Sequence, residues 1–113
     1  MKIFDFDSAP ARLIDQFGST AANATPLTAP EGDAHVVCIR LGPGGLLGRH
    51  AAQSAQLFVV VQGEGWVSGA DGEQQPVNAG TAAFWEAGEE HESGSDSGMT
   101  VIVVEAERLA PRL

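Results

Sequence analysis

Apolar residues alternate with polar ones over short stretches of this chain, and glycine-rich turns interrupt them at close intervals. The stretches 35–41, 48–52, 56–61, 65–68, 74–77, 82–85, 91–93 and 99–106 carry the strand pattern. Between them stand Gly42-Pro43-Gly44-Gly45, Gln62-Gly63-Glu64-Gly65, Ala70-Asp71-Gly72-Glu73, Asn78-Ala79-Gly80, Ala87-Gly88 and the run 93–98, all turn chemistry. Asp71-Gly72 is the clearest hairpin signal. About eight short strands in so small a chain predict an all-β fold, a closed barrel or a double-sheet jelly roll in which pairing removes exposed edges. The exception is the start. Asp7 or Ser8 as cap, Pro10 in a first turn, and Leu13, Ile14 and Phe17 as an apolar stripe before Gly18 predict one helix over about residues 8–17. The stretch 19–33, rich in Ala, Thr, Asn and Pro, is expected to run as an extended surface connection.

The alternation also assigns faces. If Gln56 points into the barrel, Phe58, Val60 and Gln62 share its direction, and Leu57, Val59 and Val61 point outward. That outward set is wholly apolar, so the N-terminal helix, a second sheet or a second subunit must cover it, and a homodimer is the simplest expectation. One of Phe84 and Trp85 must face inward by the same rule. Arg40 shares a face with Val36 and Cys38; turned inward, its guanidinium would bind a ligand carboxylate, and turned outward it is a solvated charge.

The 113 residues are 43% hydrophobic, enough for one core and one domain. Fifteen acidic against six basic side chains give a net charge of −9, which repels nucleic-acid phosphates and anionic membranes. No apolar run approaches the roughly 18 to 20 residues that span a bilayer. The single cysteine, Cys38, reads as a small core residue, and the acidic start lacks the basic and apolar regions of a secretion signal, so a cytoplasmic location is expected.

His50 and His91 both lie on predicted strands that follow glycine-rich turns, and the intervals around them are informative. Five residues separate Gly44 from His50; Ala52, Gln56 and Gly63 then fall at fixed distances beyond it. The second set is Gly80, Glu86, Gly88, His91 and Ser95. These intervals resemble the two signature motifs of the cupin superfamily, G-x5-H-x-H-x3,4-E-x6-G and G-x5-P-x-G-x2-H-x3-N. Every motif glycine is present. Ala52 stands where the second histidine belongs, Gln56 where the glutamate belongs, Glu86 where the proline belongs and Ser95 where the asparagine belongs.

The resemblance implies a double-stranded β-helix, or jelly-roll barrel, over residues 36–113, preceded by an N-terminal helix and extended arm over 1–35. It also implies a divalent transition metal (Mn, Fe, Ni, Cu or Zn) held by His50, Gln56 and His91 beside a small organic ligand, with oxygenase and isomerase chemistry among the family's activities. Phe58, Trp85 and Arg40 are the candidate ligand contacts. The residues leave an alternative open: a metal-free binding or sensing module in which the same polar side chains hydrogen-bond a ligand directly, Gln56 offering both a donor and an acceptor. Two imidazoles and a neutral amide lack the negative charge that offsets a buried cation, which weakens metal affinity relative to the full motif.

Overall fold

The computed structural model describes residues 10–26 and 34–109. Eight strands occur in chain order: β1 (Arg12–Leu13), β2 (Thr20–Pro26), β3 (Ala34–Ala51), β4 (Ala55–Ser68), β5 (Gln75–Asn78), β6 (Ala82–Trp85), β7 (Glu90–Ser95) and β8 (Met99–Ala106). Every pairing is antiparallel. Among the described residues there is no helix, and so none long and apolar enough to cross a membrane.

The predicted strands 35–41 and 48–52 are halves of one strand, β3, and 56–61 and 65–68 are halves of β4. The glycine-rich segments between the halves are bends inside a strand. The first half of β3 pairs with β8, while its second half pairs with β7. Strand β4 does the same, taking β8 and β6 along its first half and β7 and β5 along its second. Two sheets therefore face each other and share both long strands. At the β4 bend, Gly63 has φ 80°, and a Cβ there would overlap the Gly98 carbonyl; only glycine fits.

Between the sheets lies an apolar core that includes Leu41, Phe58, Val60, Val101 and Val103, each at most 3% exposed. The inward direction of Gln56, Phe58 and Val60 follows the alternation. Gln62 does not, because the β4–β8 register shifts between Val60 and Gln62, and this irregularity leaves Gln62 in solvent.

Two expectations for the N-terminal region are corrected. Residues 10–17, where most of the helix was expected, are not helical: Arg12 and Leu13 pair with Ala24 and Asn23, Ile14 N–H donates to the Ala22 carbonyl at 2.9 Å, and the chain then turns at 16–18. Residues 8 and 9 lie outside the described residues. Phe17 and Gly18 both take positive φ, 61° and 66°, which no right-handed helix allows. Pairing with β2 and burial of Ile14 against the core decide this segment, not the spacing of its apolar residues. The stretch expected as a surface connection is in part the strand β2, paired with β3 and burying Ala22 and Thr25 to 1% exposure; residues 27–33 lie outside the described residues. Small residues let β2 lie flat along an edge of β3 that would otherwise stay open.

Residues 10–19 thus form a strap that crosses the second half of β3. It passes so close to Gly48 that a Cβ at that position would overlap the Phe17 carbonyl oxygen, and the Ser19 hydroxyl accepts from Gly48 N–H at 3.2 Å. Substituting Gly48→Ala is expected to lower the chemical-denaturation stability by about 1–3 kcal/mol, the usual cost of overpacking. The same substitution should lift Phe17 from its seat, which solvent accessibility of the Phe17 ring by chemical-shift perturbation would report.

Candidate functional site

Register builds the site. In the β3–β7 ladder His50 stands directly opposite His91. In the facing sheet Gln56 of β4 is flanked by Trp85 of β6 on one side and Glu105 of β8 on the other. Both rows open onto one cavity of about 220 Å³, whose walls also include Phe17, Phe58 and Val103.

The rings pack in succession. Phe17 stacks on His50 with centroids 3.9 Å apart and planes within 9°. His50 meets His91 at 4.4 Å, His91 stacks on Trp85 at 4.5 Å, and Trp85 meets Phe58 edge-on at 5.4 Å. Aromatic pairs of this kind contribute about 0.5–1.5 kcal/mol beyond their area burial, so the two imidazoles are held in place from both faces.

Their tautomers follow from the backbone. His50 Nδ1 lies 2.7 Å from the Gly48 carbonyl oxygen and His91 Nδ1 lies 3.1 Å from that of Glu89. A carbonyl can only accept, so each Nδ1 carries the proton and donates, and each Nε2 is left with a lone pair. Gln56 Nε2 donates to Glu105 Oε1 at 3.1 Å, which leaves the amide oxygen as its remaining acceptor. Burial holds the His91 pKa below the ordinary imidazole value; the Glu89 carbonyl and the Glu89 and Glu90 carboxylates oppose this, and His50 adds to the lowering. The polar wall of the cavity is thus built chiefly of acceptors.

The motif departures have structural roles. Ala52 is buried, and its backbone clips β3 to the β6–β7 turn: its N–H donates to the Glu89 carbonyl at 3.0 Å and its own carbonyl accepts from Gly88 N–H at 2.7 Å. Ser95 Oγ donates to the Glu64 carbonyl at 2.6 Å and accepts from Gly98 N–H at 2.8 Å, closing the turn before β8. Glu86 is exposed.

Of the residues singled out in the sequence, His50, Gln56, His91, Phe58 and Trp85 come together at the cavity. Trp85 is the inward aromatic, opposite Gln56, and Phe84 pairs outward with Leu57. Arg40 is not at the cavity. It lies on the face opposite Ile39, where its Nη1 donates to Thr25 Oγ1 at 2.7 Å, and it is not among the residues that line this cavity. Its phase with Cys38, rather than with Ile39 and Leu41, decides this.

Glu105 and Phe17 are among the cavity residues that the sequence reading did not single out. Glu105 was legible in principle, because it continues the inward alternation of Val101 and Val103 on β8. Phe17 was not, since it reaches His50 only through a left-handed backbone that sequence spacing does not reveal.

The lowered His91 pKa sets a pH dependence. Between the folded pKa and the ordinary imidazole value of about 6.5 the unfolded chain binds a proton that the folded chain does not, so stability rises with pH across that window and is lost on acidification. Unfolding free energy measured in urea at pH 7.5 and 5.5 should fall at the lower pH, and His91→Gln should remove part of that fall. An unchanged slope in the variant would contradict the assignment.

A family model for the cupin domain matches residues 37–106. A search of curated proteins finds no match. Among solved structures, the chain superposes on the polyketide cyclase RemF from Streptomyces resistomycificus with a TM-score of 0.83 at 19% identity, covering 98% of this chain and 82% of that one. A predicted oxalate decarboxylase from Thermotoga maritima gives 0.82 at 18% identity, covering 93% and 98%. KdgF from Halomonas sp. gives 0.78 at 20% identity, covering 96% of each chain. At these identities the likeness is one of fold. With both histidines on the jelly-roll strands that the motif spacing requires and the family model matching most of the barrel, this chain belongs to the cupin domain family.

Proposed function

We propose that this cupin domain binds a small organic molecule in the barrel cavity directly, through His50, His91 and Gln56, without a resident metal. The observation that carries the reading is the donor set. Two imidazoles direct Nε2 away from their Nδ1 carbonyl bonds, but the position next in line is an amide whose nitrogen donates to Glu105. Among the described residues no group of three or more His, Cys, Asp or Glu is placed to hold a metal ion. Structural and catalytic transition-metal sites are ordinarily built from at least three such protein ligands, and the carboxylate in this cavity, Glu105, is bonded to the Gln56 amide and is not grouped with the two imidazoles as a third ligand. The residues therefore do not fit the metal that the family resemblance implies, and no chemistry is routed through one.

In this reading the aromatic and aliphatic walls bury the body of the ligand, and the lone pairs of His50, His91 and Gln56 receive its hydrogen-bond donors. The neighbours' names span a cyclase and a predicted decarboxylase, so the fold alone selects no reaction. One feature favours the metal reading as the second choice: an imidazole whose Nδ1–H is held by a carbonyl is also how a metal-bound histidine is oriented.

A second copy of the chain as cover for the outward face of β4 and β8 belongs to the same proposal. Leu57, Val59, Ile102 and Val104 on that face are only half-buried, and Val61 is 46% exposed.

Elemental analysis of untagged protein, before and after add-back of Mn, Fe, Ni, Cu and Zn singly, is expected to find metal well below one per chain. A near-stoichiometric metal that disappears in His50→Ala would replace this reading with the metal site. Sedimentation should give the mass of a dimer at micromolar concentration, and Val61→Lys should shift the distribution toward monomer; a monomer in the unaltered protein would remove the second copy from the proposal.

A further inference from the structure

The charge of the cavity wall narrows the ligand. The described residues that line it include one ionisable carboxyl group, Glu105, and no lysine or arginine. Arg40 projects from the other face of β3, where it donates to the buried Thr25. Arg49, beside His50, is likewise outside, donating to the Gly69 carbonyl at 3.0 Å and lying 3.9 Å from Glu90. His35 stands opposite Glu105 in the β3–β8 ladder, yet it is exposed and does not line the cavity.

The same wall is rich in lone pairs. His50 Nε2, His91 Nε2 and the Gln56 amide oxygen can accept, because the Nδ1 protons go to Gly48 and Glu89; of the two Gln56 amide protons one goes to Glu105, and the other remains a neutral donor. Gln16 and Ser93 can donate, but they are neutral. Glu105 is half-buried, and the bond from Gln56 Nε2 fixes one of its oxygens and so the plane of the carboxylate. An anion entering this cavity would meet the like charge of Glu105 and, among the described lining residues, no lysine or arginine. A ligand bearing an ammonium group would find a carboxylate, three further acceptors and the aromatic surfaces of Phe17, Phe58 and Trp85.

Size sets a second limit. A cavity of about 150 Å³ already accepts a benzene ring, so 220 Å³ holds one ring with a short substituent and not two. The net charge of −9 draws cations toward the molecule from solution.

We propose that the ligand of this pocket is a compact organic amine carrying a single ring, and that Glu105, positioned by Gln56, selects for its positive charge. This rests on the metal-free reading of the site, since a divalent ion on the two imidazoles would reverse the sign of the charge and favour anions.

Isothermal titration with benzylamine, benzyl alcohol and benzoate tests it, because the three share a ring and differ in charge. The metal content of the same sample is measured alongside. Benzylamine should bind tightest and benzoate least. Glu105→Gln should weaken benzylamine by about tenfold or more while leaving benzyl alcohol within about twofold, as expected for loss of a charge-assisted bond. If the variant does not fold, the order of affinities in the unaltered protein decides. Benzoate bound most tightly by metal-free protein, or benzylamine unaffected in Glu105→Gln, overturns the amine assignment and leaves the pocket reading standing. Benzoate preferred by protein that holds a stoichiometric metal overturns both, as does failure of all three compounds to bind.

Discussion

Two strands that each serve two sheets are the constraint on which the rest depends. Strands β3 and β4 bend midway, so the chain that starts in one sheet finishes in the other. Without the bends, His50 and Gln56 would lie on separate surfaces. With them, the end of β3 and the start of β4 converge from opposite walls, and β7 and β8 bring His91 and Glu105 to the same mouth. The glycines at the bends are where the backbones pass too closely for a side chain, as Gly63 against Gly98 shows. Site geometry is thus a by-product of how the jelly roll closes.

Within that frame the polar side chains are held by the backbone more than by each other. Both histidines give their Nδ1 protons to carbonyls two residues earlier in the chain, Gly48 on β3 and Glu89 in the turn before β7. Such local bonds fix tautomer and ring direction whatever occupies the cavity. Stacking against Phe17 and Trp85 completes the restraint, and burial keeps His91 neutral. The site is organised before a ligand arrives, which limits the ordering cost of binding.

The strand periodicity and the motif spacing made the barrel, the positions of both histidines and the inward course of Gln56 and Phe58 legible in the sequence. Spacing reports what a strand must do over several residues, and the hydrophobic alternation there is regular. It failed where one local event overrides the pattern. The β4 irregularity turns Gln62 out, and the positive φ of Phe17 converts an apparent helical stripe into a strap. Glu105 was overlooked for a different reason: an acid at the end of an apolar strand reads as a solvated terminus, although the alternation of Val101 and Val103 already points it inward. Its pairing with Gln56 then fixes it at the cavity.

The strap separates two properties that many pockets combine. Ile14, Gln16 and Phe17 form one side of the mouth, yet they belong to a segment joined to the barrel by a two-residue strand, a few backbone bonds and the Ser19 contact to Gly48. The acceptors and the carboxylate sit instead on core strands whose every neighbour is paired. In the proposed pocket the strap therefore contributes aromatic and neutral polar surface at the mouth, while the acceptors and the carboxylate at its floor belong to the strands that hold the barrel together, so substitutions in the strap leave the charge of the floor unchanged.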